Sequence, residues 1–150
     1  MNAYNLVYTQ LRIGQRMWYY EGRLFDPEND LGDNVGFVYC ITNLTNNKQY
    51  IGKKLFEFTR TKKVKGKKKK TKVKIKSDWE EYFGSNLALL ADVAKLGQDK
   101  FKREIIHLCK TKGTCSYFEA KEIMARDAII SESYYNQWLA VKVSAPQVKL

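Results

Sequence analysis

Apolar and polar positions along this chain fall into blocks that predict a mixed α+β domain. Residues 36–42 are continuously apolar, β-branched or aromatic, which predicts a strand buried on both faces. Turn formers follow at 43–47, and the segment Lys-Gln-Tyr-Ile-Gly at 48–52 is predicted to form the second strand of a β-hairpin. The elements predicted after it are a short helix opening at 77–80, a helix at 87–96, a strand at 101–109 and a helix from 116 to about 130.

Capping residues set the predicted helix boundaries. Ser77 with Glu80, and Ser116 with Glu119, match capping boxes, in which the carboxylate bonds a backbone amide at the helix start. Ser85 or Asn86 is predicted to cap the helix at 87–96, which Gly97 ends. The apolar face predicted for that helix consists of Leu87, Leu90, Ala91 and Ala94.

The domain organisation follows from the order of these elements, β-β-α-α-β-α around one core. Residues 36–138 are predicted to form the domain, and an irregular N-terminal extension at 1–35 precedes it. Residues 139–150 are predicted to be an edge strand or a C-terminal tail. A strongly basic insert at 53–76 interrupts the domain after the hairpin.

The net charge of +11 is concentrated in that insert. Thirteen Lys and Arg residues lie between 53 and 76 against the single acid Glu57, so the other 126 residues are nearly neutral. With so few apolar side chains, the insert is predicted to be a mobile loop or a loose ribbon that binds a polyanion. Nucleic acid is the favoured partner, and an acidic membrane surface is the weaker alternative. A solvated loop that aids solubility and a targeting signal are the alternatives. The predicted phosphate-binding lysines are Lys53, Lys54, Lys62, Lys63, Lys65, Lys67, Lys68, Lys69, Lys70, Lys72, Lys74 and Lys76.

Apolar segments and cysteines bear on location. The chain has no run of 18 apolar residues and its start lacks the basic and apolar regions of a secretory signal, so no membrane span or export is expected. Its three cysteines, Cys40, Cys109 and Cys115, are an odd number without zinc-type spacing. They are predicted to be buried thiols of a cytoplasmic protein.

Two tyrosines in the predicted hairpin are candidate functional residues. If residues 42 and 47 pair, Tyr39 and Tyr50 stand directly opposite each other on one face. Paired phenols can orient a water or a phosphate and, with a lowered pKa, accept a proton. Cross-strand packing is the structural alternative for both side chains.

These residues resemble the signature of the GIY-YIG nuclease family. Phe37-Val-Tyr39 and Tyr50-Ile-Gly52 match its two triplets, the first degenerate and the second intact. Glu119 and the Tyr-Tyr-Asn136 triplet follow in the order the family shows. The runs GFVYCITNLTNNKQYIGKK, SDWxxYxGS and FKREII resemble small phage-type members, which implies the cytoplasm of a host cell as the location.

The resemblance implies a small α/β core with a central three-stranded antiparallel sheet flanked by helices. It implies a metal-dependent endonuclease in which Tyr39 and Tyr50 are catalytic, Glu119 binds a single Mg²⁺ or Mn²⁺, and Asn136 buttresses the site. A hard carboxylate oxygen suits such cations. Because Ser116-x-x-Glu119 also matches a capping box, a structural role for Glu119 remains the alternative.

The cation that contacts the phosphate is the open assignment. Family members often carry an arginine after the second motif with a histidine one turn later. Arg60 lies at a plausible distance, but the sole histidine, His107, is far along the chain and is predicted to be structural. Lys53 or Lys54, next to the motif, can supply the charge instead, without the bidentate fork of arginine.

Three functions follow from these expectations. The first is an endonuclease that hydrolyses DNA phosphodiesters, with the lysines holding the backbone. The second is a catalytically degenerate nucleic-acid-binding protein on the same fold. The third is an RNA-directed nuclease.

Overall fold

A five-stranded sheet forms the centre of the protein. The structure, a computed structural model, describes residues 17–150, so the first part of the predicted extension at 1–35 lies outside the described residues. The sheet has the strand order β2-β1-β7-β3-β4. Its strands are β1 (Trp18–Tyr20), β2 (Arg23–Leu24), β3 (Gly36–Asn43), β4 (Gln49–Leu55) and β7 (Phe101–Cys109).

The prediction of a three-stranded antiparallel sheet is correct for its centre and wrong for its extent. Strands β7, β3 and β4 are antiparallel neighbours, as expected. Strand β1 adds to β7 in parallel and β2 adds to β1, which makes a mixed sheet of five strands. Strands β1 and β2 are too short to show a hydrophobic periodicity in the sequence. The buried Trp18 of β1 anchors them, because its indole N–H donates a hydrogen bond to the Trp79 carbonyl at 2.8 Å.

Within residues 17–150, three α-helices accompany the sheet. They are α1 (Pro27–Asp30), α2 (Leu87–Leu96) and α3 (Lys112–Ala125), with 3-10 turns at Trp79–Glu81, Gln98–Lys100 and Ala145–Gln147. The bounds of α2, its Asn86 cap and its end at Gly97 are confirmed. Its predicted apolar face is wrong, because Leu89 and Val93 are the buried side chains whereas Leu87 is 83% exposed.

Helix α3 begins earlier and ends earlier than predicted. Thr111 caps it by accepting a bond from the Thr114 amide at 3.0 Å, so Ser116 lies inside the helix and the predicted capping box with Glu119 is wrong. Gly113 belongs to its first turn, where a Cβ would collide with Gln147 of the C-terminal segment. The Ser77 box is also absent, since the Ser77 hydroxyl donates to the Leu55 carbonyl and only a 3-10 turn follows.

The two faces of the sheet carry different cores. An aromatic cluster that includes Trp18, Phe37, Tyr39, Phe56 and Trp79 covers one face. The other face packs against α3 and contains the three free, buried cysteines, as the sequence predicted. No helix within residues 17–150 is long and apolar enough to cross a membrane.

The basic insert forms an exposed β-ribbon, which is the second of the two predicted alternatives, a loop or a ribbon. Strands β5 (Glu57–Lys62) and β6 (Thr71–Lys76) pair antiparallel in a separate two-stranded sheet. Residues 63–70 connect them at the tip, and residues 53–55 belong to β4 instead. We call residues 57–76 the lysine hairpin.

Candidate active site

One cavity of about 330 Å³ lies where β4, α3 and the segment after Asn136 meet. It collects five of the candidate functional residues from the sequence analysis: Tyr39, Tyr50, Lys53, Glu119 and Asn136. Strand β4 is the edge of the sheet, so side chains can reach this cavity from both of its faces. The tyrosines extend from the aromatic face, and Glu119 comes from the helix on the opposite face.

The hairpin register differs from the predicted one by two residues. Tyr39 pairs with Gly52, and Tyr50 pairs with Ile41. A shift of two keeps every side chain on its expected face, because strand side chains alternate with a period of two. The phenol rings are therefore diagonal neighbours with centroids 6.1 Å apart, and the prediction that they stand directly opposite each other is wrong.

The pairing of Tyr39 with Gly52 explains why a glycine occupies that position. A Cβ built on Gly52 would lie 2.5 Å from Cζ of Tyr39 and closer still to its hydroxyl oxygen. The missing side chain lets the phenol lie across β4 and reach the cavity at the sheet edge. Gly52 therefore positions Tyr39.

We expect Gly52→Ala to destabilise the protein by about 1–3 kcal/mol, because a Cβ at this position would overlap the buried Tyr39 ring and force it to shift. Urea unfolding measures this loss. Gly66→Ala is the control, since a Cβ there meets no atom within 4 Å and only the φ of 90° opposes it. Equal losses in both variants would contradict the tight contact between Gly52 and Tyr39.

Burial keeps both phenols protonated. Desolvation raises the pKa of Tyr39 well above its ordinary value, and nearby Tyr82 and Tyr50 raise it further. Desolvation also raises the pKa of Tyr50, partly offset by its contact with the Ser85 hydroxyl at 3.4 Å. The tyrosines can therefore donate hydrogen bonds to a phosphate or a water. A phenol that accepts a proton needs a lowered pKa, whereas this cavity raises the pKa of both tyrosines.

Lys53 supplies the positive charge inside the cavity. Its Nζ lies 3.1 Å from Oε2 of Glu119 and donates a hydrogen bond to the Ser116 hydroxyl at 2.9 Å. Ser116 and Glu119 lie one turn apart on α3. The cavity thus contains a carboxylate and an ammonium group within contact distance of each other.

The other two candidate cations do not line this cavity. Lys54, the next residue of β4, points to the aromatic face, where it pairs with Asp78 at 2.6 Å and lies over the Tyr82 ring. Arg60 lies on the exposed strand β5, over Phe58. Alternation along β4 explains the difference, because only Lys53 shares the face on which α3 lies.

Asn136 connects the chain to β4 through both ends of its side-chain amide. Its Oδ1 accepts from the Ile51 amide at 2.9 Å, and its Nδ2 donates to the Ile51 carbonyl at 2.8 Å. The buried amide thereby completes the exposed edge of β4 and holds residues 137–140, which form one wall of the cavity. These two bonds are compatible with the buttressing role that the sequence analysis expected of Asn136, which stays a prediction.

The donor set suits a hard cation with few protein ligands. Within residues 17–150 no three His, Cys, Asp or Glu side chains form a group that could hold a metal ion. Among the described residues, Glu119 is the one carboxylate that lines the cavity, and its salt bridge to Lys53 leaves further oxygen lone pairs available. Mg²⁺ commonly keeps several waters and binds through one or two carboxylates, so this arrangement fits it.

His107 and the neighbouring glutamate form a separate ion-pair cluster. Nε2 of His107 lies 2.7 Å from Glu122, which also pairs with Arg126 at 2.9 Å, and the imidazole stacks on Phe118. None of these side chains lines the cavity. This cluster explains His107 as a structural residue.

A second groove adjoins the cavity. Lys53 borders both, and Lys54, Lys112, Ser77 and Ser116 line the groove of about 430 Å³ between the base of the lysine hairpin and the start of α3. No residue of the described chain forms a salt bridge with Lys112. The groove therefore offers positive charge directly beside the cavity.

Sequence reasoning missed several residues that line the cavity. Gln137 and Trp138 belong to no motif, Ser85 was considered only as a helix cap and as the end of the SDWxxYxGS run, and Ile123 and Ala140 resemble ordinary apolar positions. The single available signal was their proximity in sequence to Tyr-Tyr-Asn136 and to the SDWxxYxGS run.

Comparison with known proteins gives two matches. The family model described as "Putative endonuclease segE, GIY-YIG domain" matches residues 18–139. A curated relative, "Putative endonuclease segE" of Enterobacteria phage T4, is 31% identical over 100 residues, which are 67% of this chain and 39% of the relative. The chain thus spans about two fifths of the length of that relative. No solved structure matches.

Proposed function

Because the chain belongs to the GIY-YIG family, we propose that it is an endonuclease that hydrolyses phosphodiester bonds of DNA with the help of Mg²⁺ or Mn²⁺. The observation that carries this proposal is the cavity itself. It combines two protonated phenols, one ammonium group and one carboxylate, and these groups suit a phosphodiester flanked by a bound cation.

Each of these side chains has a role in the proposed reaction. Tyr50 and Tyr39 donate hydrogen bonds to the phosphate or to the attacking water and fix their orientation. Lys53 stabilises the negative charge that builds up on the phosphate oxygens. Glu119 would hold the divalent cation, which when bound would supply positive charge to the phosphate and to the leaving oxygen. Asn136 keeps the cavity wall in place through its bonds to Ile51.

The lysine hairpin supplies the affinity for DNA. Its exposed lysines contact backbone phosphates without reading bases, and the groove beside the cavity continues the positive surface towards Lys53. We therefore expect low intrinsic sequence specificity.

Incubation of supercoiled plasmid with the protein and Mg²⁺ or Mn²⁺ tests the proposal. Nicked or linear products that disappear with EDTA support the endonuclease, and uncut plasmid that is nevertheless bound supports the degenerate binding protein. Single-stranded and duplex RNA in the same assay test the RNA-directed nuclease. Cleavage of RNA alone would overturn the assignment of DNA as substrate.

Lys53→Met should lower the cleavage rate at saturating DNA by about tenfold to a hundredfold, because the ammonium group that faces the phosphate is lost. DNA affinity should fall only slightly, since twelve other cationic side chains remain between residues 53 and 76. Lys54→Met is the matched control and should cut at nearly the normal rate, as Lys54 does not line the cavity. A larger defect in the Lys54 variant would assign the phosphate contact to that residue instead.

A further inference from the structure

Trp138 is the exposed member of the three tryptophans in this chain. Its side chain is 75% exposed, whereas Trp18 and Trp79 are 2% and 5% exposed and belong to the aromatic core. An indole ring combines a large apolar surface with a polar N–H, and for this reason Trp is enriched at binding interfaces. A single exposed apolar side chain is ordinary by itself, so the functional argument depends on what surrounds Trp138.

The surroundings of Trp138 connect it to the proposed active site. It lines the same cavity as Tyr50, Lys53 and Glu119. Two residues of extended chain span at most about 7 Å, so Trp138 lies close to Asn136, whose amide is bonded to β4 at both ends. The chain is thus fixed just before the indole, and the ring is presented at the border of the cavity.

From this placement we propose that Trp138 is a stacking surface for one unpaired nucleobase of the bound DNA, next to the phosphate that occupies the cavity. The inference rests on the proposed function and adds a structural preference in the substrate. Every nucleobase has a flat π-face, so stacking on an indole tolerates any sequence. This property agrees with a protein whose other predicted contacts are to backbone phosphates.

Stacking on Trp138 requires a base that has left the duplex. Paired bases stack on each other, and extrusion of one costs least where it is mismatched, bulged or already single-stranded. The proposal therefore predicts preferential binding, and preferential cleavage nearby, at a DNA site with an unpaired base. Phosphate contacts by the lysine hairpin alone would give no such preference.

Intrinsic fluorescence provides the test, because Trp138 is the one accessible tryptophan. In EDTA the wild-type protein is titrated with three short duplexes: fully paired, with one unpaired nucleotide, and with an abasic residue at that nucleotide. We expect the strongest quenching and the tightest binding with the unpaired base. Equal quenching by the unpaired base and its abasic counterpart would overturn the proposal.

Variants separate stacking from other uses of the indole. By anisotropy of labelled DNA, Trp138→Ala should bind the unpaired-base duplex about tenfold more weakly and the abasic duplex normally, whereas Trp138→Phe should retain most of the preference. Unchanged binding of the unpaired-base duplex by Trp138→Ala would refute the stacking proposal. Dissociation of a protein dimer by the same substitution would also refute it, because the indole would then contact a second copy of the chain. If quenching depends on the base but no DNA is cleaved, the stacking proposal stands and the nuclease proposal is rejected. If DNA is cleaved but quenching does not depend on the base, the nuclease proposal stands and the stacking proposal is rejected.

Discussion

Glu119→Gln should abolish metal-dependent cleavage, with a fall in rate of at least about a hundredfold, and leave DNA binding nearly intact. The amide preserves the shape of the side chain but lacks the charge with which this carboxylate would hold the cation. The lysine hairpin, which supplies the proposed affinity, is untouched. Plasmid cleavage across a Mn²⁺ titration and anisotropy of labelled DNA measure the two effects.

The same substitution should change stability little. Glu119 lies inside α3 and not at its N-terminus, so no helix cap is lost, and a partly exposed ion pair with Lys53 contributes at most about 1 kcal/mol. Glu122→Gln is the matched control on the next turn of the helix. It breaks contacts to His107 and Arg126 outside the cavity and should cut normally. Normal cutting by Glu119→Gln would remove this carboxylate from the proposed site.

Three of the longer elements were predictable because each carries its own local signal. Strand β7 and helix α2 have the predicted bounds, and β3 extends one residue further than predicted. Periodicity failed where tertiary contacts decide. It chose the wrong face of α2, which has apolar residues all around, and it could not detect β1 and β2, whose few residues depend on neighbouring strands.

The residues of the candidate site could be predicted from the sequence, but their arrangement in space could not. The resemblance supplied Tyr39, Tyr50, Glu119 and Asn136, which line one cavity. Local sequence could not choose between Lys53 and Lys54, because that choice depends on which face of β4 meets α3. The same limit misplaced the cap of α3, where Thr111 satisfies the helix start before Ser116 is reached.

Replacement of the six tip lysines of the hairpin by serine should weaken binding to all duplex sequences by at least about tenfold at 0.1 M salt. If every one contacts a phosphate, the slope of log K against log salt should become shallower by up to about 5. The ribbon should persist, since β5 and β6 pair outside the tip. The substituted residues are Lys63, Lys65, Lys67, Lys68, Lys69 and Lys70.

A charge-matched control distinguishes local contacts from the net charge of the protein. Six exposed lysines elsewhere are replaced by serine, namely Lys95, Lys100, Lys102, Lys121, Lys142 and Lys149. Both variants lose the same charge, so general attraction falls equally, and only the tip variant should lose most of the salt dependence. Equal slopes in the two variants would contradict the hairpin as the DNA-binding element.

Cleavage by the tip variant shows whether the hairpin also takes part in the chemistry. Its tip lysines do not line the cavity, in which Lys53 already provides an ammonium group beside Glu119. At saturating protein the cleavage rate should therefore stay within about twofold of normal, because a contact that binds substrate and transition state equally changes affinity alone. Loss of cleavage with DNA fully bound would mean that a tip lysine reaches the scissile phosphate, and Lys53 would then not be the cation that completes the site.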